Sequence, residues 1–190
     1  MMHLKTNVHF HEQQDFKLLE LSYLGEELSM FIVLPNNNGE KYLSRLCTPE
    51  ILDKIFENPR HGMENTRKVD VFLPKFKFDA GYHLNGFLPQ LGLSRTLSKQ
   101  AEFGGVATKP VFIDEIIHKS FVEVDEEGTK AAAATAIRAR ALAIVQNPTF
   151  NADHPFVFFI YHHATKQPLF IGRVVDPTKK SAGDLSAAQS

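Results

Sequence analysis

Cysteine and tryptophan are almost missing from this chain, and so is any surplus of charge. Cys47 is the single cysteine in 190 residues, so no disulfide can close within the chain. Cysteine usage therefore says nothing about its redox compartment. A formal net charge of −1 supplies no field to attract nucleic acid or an anionic membrane, and neither is expected as a partner. The longest apolar runs, such as Phe156 to Tyr161, fall far short of the ~20 residues a membrane-crossing helix needs. There is no Asn-x-Ser/Thr sequon, so glycosylation offers no support for secretion. No Gly-x-Ser-x-Gly elbow occurs, so Asp153-His154 with a nearby serine is not read as a hydrolytic triad. His162-His163 and His9-x-His11 lack a cysteine or acidic cluster to complete a tetrahedral set. They are read as strand surface residues, and neither a metal nor a cofactor is expected.

What is present is an ordinary soluble composition, long enough for one domain with a core. Phe16 to Tyr23 and Leu28 to Leu34 predict two strands joined by a hairpin through Leu24-Gly25-Glu26-Glu27. Residues 35–39 form a turn cluster, and Lys41 to Leu46 predict a short helix. A second helix is expected from about Thr48 to Asn58, with Thr48 as N-cap and Pro49 in its first turn. Its residues Ile51, Leu52, Ile55 and Phe56 recur at helical spacing as a core-facing stripe. Val69 to Leu73 and Lys75 to Phe78 alternate as two strand segments bent at Pro74. Residues 84–91 are expected to be helical, interrupted near Pro89 and stopped around Gly92, followed by a long strand over 111–124, a short one at 144–145, and strands near 156–162 and 169–174. The Ser/Ala/Lys-rich tail, 178–190, is expected to be disordered. The class is α+β, mainly antiparallel strands with a few helices.

The segment Glu126-Glu127-Gly128-Thr129-Lys130 with the alanines after it supports two readings. Helix propensity favours a helix, since alanine is the best helix former. Parity favours a strand. Thr129, Ala131, Ala133, Thr135, Ile137 and Ala139 are uncharged and mostly small, whereas Lys130, Arg138 and Arg140 fall only on even positions. Alternate strand side chains face opposite ways, so this segment can enter a packed sheet without burying a charge.

These residues resemble the reactive-loop hinge of the serpins, suicide inhibitors of serine proteases. The resemblance extends to Ile116 to Val124, like the strand leading into that hinge, and to Phe150 to Ile160, like the strand after the loop. Pro168 to Pro177 resembles the C-terminal signature. Met1-Met2, ahead of a strand, resembles a position midway through the family. The likeness thus covers residues 1–177 but only the C-terminal half of a serpin domain, and the chain reads as a fragment, with the N-terminal half absent. A serpin-like multi-sheet fold is implied, with the reactive loop at about 126–147.

The resemblance implies a mechanism in which the target protease supplies all the chemistry. Its serine attacks the loop and forms a covalent acyl-enzyme complex. The cut loop then inserts into the main sheet. Roughly a dozen residues at ~3.3 Å each would carry the enzyme on the order of 40 Å. The hinge is Glu126, Glu127, Gly128, Thr129, Ala131, Ala133 and Thr135, with Gly128 as pivot. Counting along the loop as the family does puts the reactive bond at Leu142-Ala143, suited to chymotrypsin- or elastase-like proteases. Arg140 and Arg138 are the alternative reactive residues, for a trypsin-like enzyme. His118 resembles the histidine of the sheet-opening region. Basic residues are scattered, so a glycosaminoglycan partner is left open, and an extracellular location is expected from the family alone. The alternatives are a non-inhibitory serpin, carrier or chaperone-like, and an inactive truncated fragment. In the fragment reading, the strand at 111–124 loses a neighbour and becomes an exposed edge.

Overall fold

The computed structural model describes residues 1–37, 40–63, 65–126 and 147–179. It comprises a larger unit, Met1–Phe76 with Val124–Thr178, and a smaller one built on Lys77–Glu123.

The larger unit is a seven-stranded sheet with two helices. The strands are β1 (Met2–Glu12), β2 (Phe16–Ser22), β3 (Leu28–Pro35), β4 (Thr66–Leu73), β7 (Thr149–Asn151), β8 (Phe156–His162) and β9 (Gln167–Val174). Their order across the sheet is β7-β4-β1-β2-β3-β8-β9. All pairings are antiparallel except β4 with β7, which is parallel. The parallel pairing was not legible in the sequence, because a three-residue strand carries no periodicity of its own.

The expected hairpin forms, with Phe16 paired to Pro35 and Ser22 to Ser29. Gly25 takes φ +89° in its connection, a left-handed conformation that glycine adopts at little cost. β3 and β8 are buried on both faces, which explains their nearly unbroken apolar sequences. Helices α1 (Glu40–Leu46) and α2 (Pro49–Glu57) cover one of these faces. Leu43, Leu46 and Ile55 pack there with Leu18, Phe31, Val33, Met63, Val157, Phe159 and Tyr161. Phe31 stacks on its register partner Phe159 with ring centroids 4.9 Å apart. Burial of each such side chain contributes about 1.5–3 kcal/mol. Thr48 is the N-cap of α2 as expected, but it caps through its carbonyl, which accepts from Ile51 and Leu52, and not through its hydroxyl.

The other face holds Leu19, Ile32 and Phe158 in one register row, ending at Gly172 of β9. A Cβ on Gly172 would lie 2.6 Å from the Phe158 ring, so only glycine fits there without a shift. Phe76, just past the bend, packs its ring against Phe156 and Phe158 on this side. The strand break expected at Pro74 is present: β4 ends at Leu73 in the large sheet, and β5, from Phe76, belongs to a different one.

In the smaller unit β5 (Phe76–His83) pairs with β6 (Ile117–Val124). Residues 84–91 are helical and interrupted, as expected, but as two short 3₁₀ turns, Leu84–Gly86 and Leu88–Leu91. Pro89 has no N–H to continue a helix, and Gly92 closes the second turn at φ +83°. The strand expected from 111 begins only at Ile117. The backbone ahead of it is otherwise engaged: Asn85 donates to the Asp114 carbonyl at 2.6 Å and accepts from the Ile116 amide at 2.9 Å, and the Leu84 amide donates to the Ile116 carbonyl.

Candidate functional site

Of the expected reactive-loop residues, Glu127, Gly128, Thr129, Ala131, Ala133, Thr135, Arg138, Arg140, Leu142 and Ala143 lie outside the described residues. So does the short strand expected at 144–145. The structure instead describes how the chain leaves β6 and how it returns at β7.

At the departure, Glu126 forms an ion pair with Lys75, which sits in the bend between β4 and β5. The hydrogen bond from Lys75 holds the Glu126 carboxyl below the usual range, although both side chains are about half exposed. At the return, the Pro148 carbonyl accepts from the Asp70 amide at 3.0 Å, and Thr149 pairs with Asp70 in the parallel ladder. Phe150 then turns fully inward, meeting Phe10 edge-on at 6.3 Å. The Ala152 amide closes this anchor on the Phe72 carbonyl.

Asp70 organises the return. Lys5 donates to its carboxylate at 3.1 Å, Asn147 donates at 3.4 Å, and His3 lies 3.6 Å away. Burial works against the charge on Asp70, but the bonds from Lys5 and Asn147 prevail and lower its pKa. The two ends of the 127–146 segment are thus tied to positions 70 and 75 of one stretch of chain. Sequence reading missed both anchors. The signal available was Asp70 between Val69 and Val71, an acid on the outer face of an alternating strand.

His118 lies exposed on β6. β6 pairs only with β5 among the described residues, and its Ile117 and Phe121 are exposed. Lys77 of β5 lies over the Phe121 ring and reaches Glu123 at 3.3 Å.

A second polar cluster lies within the larger unit. Glu20 of β2 is fully buried and receives two bonds from Arg60, at 2.8 and 2.6 Å. Ser29 donates to the same carboxylate at 2.6 Å and lies 2.8 Å from His163 Nε2. Burial raises the Glu20 pKa, but the bonds from Arg60 and Ser29 outweigh it and the net shift is downward. Burial and the nearby Arg60 charge push His163 the other way, below its ordinary value. His163 is therefore no surface strand residue, as the sequence reading had it; it stands just past β8 and is part of this cluster. His162 and Thr165 do form an exposed contact. The serine, histidine and glutamate do not form a relay, since Ser29 and Glu20 both approach the same imidazole nitrogen. Among the described residues no group of three or more histidines, cysteines and acids can hold a metal ion.

A family model described as "Serpin (serine protease inhibitor)" matches residues 1–177. The chain belongs to the serpin family. This serpin is 42% identical over 184 residues to leukocyte elastase inhibitor A of Rattus norvegicus, covering 93% of this chain and 48% of that one. It is 40% identical over 168 residues to serpin B8 of Bos taurus, covering 87% and 44%. Uncleaved ovalbumin matches the serpin's structure with a TM-score of 0.72 at 26% identity, over 93% of this chain and 47% of that one. The chain spans about half the length of the curated relatives it matches. The α+β, multi-sheet architecture expected from the resemblance stands.

Proposed function

We infer that residues 1–177 form the C-terminal part of an inhibitory serpin domain, with its reactive loop at about 126–147. The loop serves as bait for a serine protease, which cleaves Leu142-Ala143 and is held as a covalent acyl-enzyme. The observation that carries this reading is the double anchoring of the loop, by Glu126 on Lys75 and by Pro148 and Thr149 on Asp70. A segment fixed at both ends presents one stretch of backbone to an enzyme without costing the sheet its order. The small, uncharged odd positions Thr129, Ala131, Ala133 and Thr135 then suit insertion into a sheet beside β6, where His118 lies. Leu142 favours an apolar primary pocket, in keeping with the elastase in the name of the Rattus norvegicus relative. Cleavage at Arg140 or Arg138 would shorten the insert and give turnover without capture. Extracellular location finds no support among these relatives and is not part of the proposal.

The second reading is cleavage without capture, favoured by the pairing of β6 with β5 alone among the described residues. The two separate on a denaturing gel. Incubation with chymotrypsin, elastase and trypsin, of this chain and of one extended upstream to the length of its relatives, is expected to give an SDS-resistant band with the first two enzymes in the extended chain. Clean cleavage of both chains by all three enzymes, with no such band, overturns the inhibitory reading.

A further inference from the structure

Beside α1 and α2 lies a cavity of about 320 Å³ that none of the loop anchors lines. Its floor is Phe16 and Leu18 of β2, Leu46 of α1, and Ile51 and Ile55 of α2. Leu18, Leu46 and Ile55 are buried members of the main core, and Phe16 and Ile51 pack against it. The floor is therefore built by the fold and exists before any ligand arrives.

The lining is not apolar throughout. Arg45, in the last turn of α1, and Lys54, in the last turn of α2, both contribute to it. Asp15 also lines the cavity, so two permanent cations stand against one acid. Neither cation forms an ion pair among the described residues. An apolar floor with an excess of unpaired positive charge complements a molecule with an apolar body and one negative end. The volume is at the lower end of the range for small-molecule pockets, roughly 300–1,000 Å³.

We propose that this cavity binds a small amphipathic carboxylate, its hydrocarbon part on Phe16, Leu46 and Ile51 and its carboxylate between Arg45 and Lys54. Arginine offers a two-pronged donor geometry that matches a carboxylate, and lysine adds a flexible point charge. The site is independent of protease capture, because it uses no residue of the loop or its anchors.

Titration calorimetry of the full chain with 4-phenylbutyrate, octanoate and the neutral 4-phenylbutanamide tests this. Binding of at least one acid with a dissociation constant of roughly 0.1 mM is expected, the range such small ligands reach. Preference for phenylbutyrate would mark an aromatic body, and preference for octanoate a linear one; either result supports the site. The amide should bind at least tenfold more weakly. The double variant Arg45→Glu/Lys54→Glu should lose the acid by at least tenfold, and Arg45→Gln/Lys54→Gln should weaken it in the same direction. All four substitutions fall on exposed side chains, so folding is not at risk. A Lys109→Glu control in the smaller unit should bind as the parent does. No heat with either acid, equal binding of acid and amide, or unchanged binding in the double variants would overturn the proposal.

Discussion

Glu126 pairs with Lys75 in the bend between β4 and β5, directly ahead of the 127–146 segment. Five residues earlier in the same stretch, Asp70 receives Asn147 and pairs with Thr149 as the chain returns. The two tethers differ in kind. The first joins two half-exposed side chains, which water and salt screen. The second combines backbone hydrogen bonds with a partly buried carboxylate and a fully buried Phe150.

The return tether should therefore matter more. Lys75→Ala is expected to leave the melting temperature and the amide protection of β7 unchanged. Asp70→Ala should lower protection of the position-70 and Ala152 amides about tenfold in hydrogen exchange, the equivalent of about one hydrogen bond. Equal effects of the two substitutions would contradict this ranking.

The same tether should weaken in acid. The native carboxyl of Asp70 is held below its ordinary value, so it binds fewer protons folded than unfolded. Its stabilisation is complete above about pH 4, the ordinary aspartate range, and fades as pH falls through the lower native value. Exchange at position 70 measured from pH 6 downward should accelerate below about pH 4 beyond the intrinsic trend, and Asp70→Asn should remove that excess.

Arg60 stabilises the larger unit by neutralising Glu20, whose side chain is wholly buried. Arg60→Ala leaves that carboxylate with Ser29 and His163 only, and should cost about 2–4 kcal/mol in urea unfolding. The paired variant Arg60→Met/Glu20→Gln should recover part of the loss. A loss below about 1 kcal/mol would mean that water reaches the carboxylate.

Several of these elements could be read from sequence because their signals are local. The β2–β3 hairpin announces itself by two apolar runs around Gly25, and α2 by Thr48-Pro49 and its spaced isoleucines. Pro74 marks the change of sheet. What stayed illegible depends on partners distant in the chain. Nothing near Thr149 says that it pairs in parallel with Asp70, 79 positions earlier. The late start of β6 is set by Asn85, 31 positions before Ile116. Glu20 within Leu18-Leu19-Glu20-Leu21 did carry a signal, a buried acid that requires a cation, but only the fold names Arg60. The hinge is expected from a parity pattern and a family resemblance, and apart from Glu126 it lies outside the described residues.

Insertion makes a demand on Thr129 that exposure would not. Thr129→Arg, in a chain extended upstream to the length of its relatives, places a charge at an inward position of the sheet. Capture should give way to simple cleavage, seen as loss of the SDS-resistant band with the cut product retained. Unchanged capture would mean that this parity does not face the sheet.

The most direct measurement is the N-terminal sequence of the C-terminal peptide released when chymotrypsin or elastase is captured. A peptide beginning at Ala143 is predicted, together with the covalent complex. A peptide beginning at Ala141 or Ala139, or cleavage with no complex in the extended chain, would contradict the account.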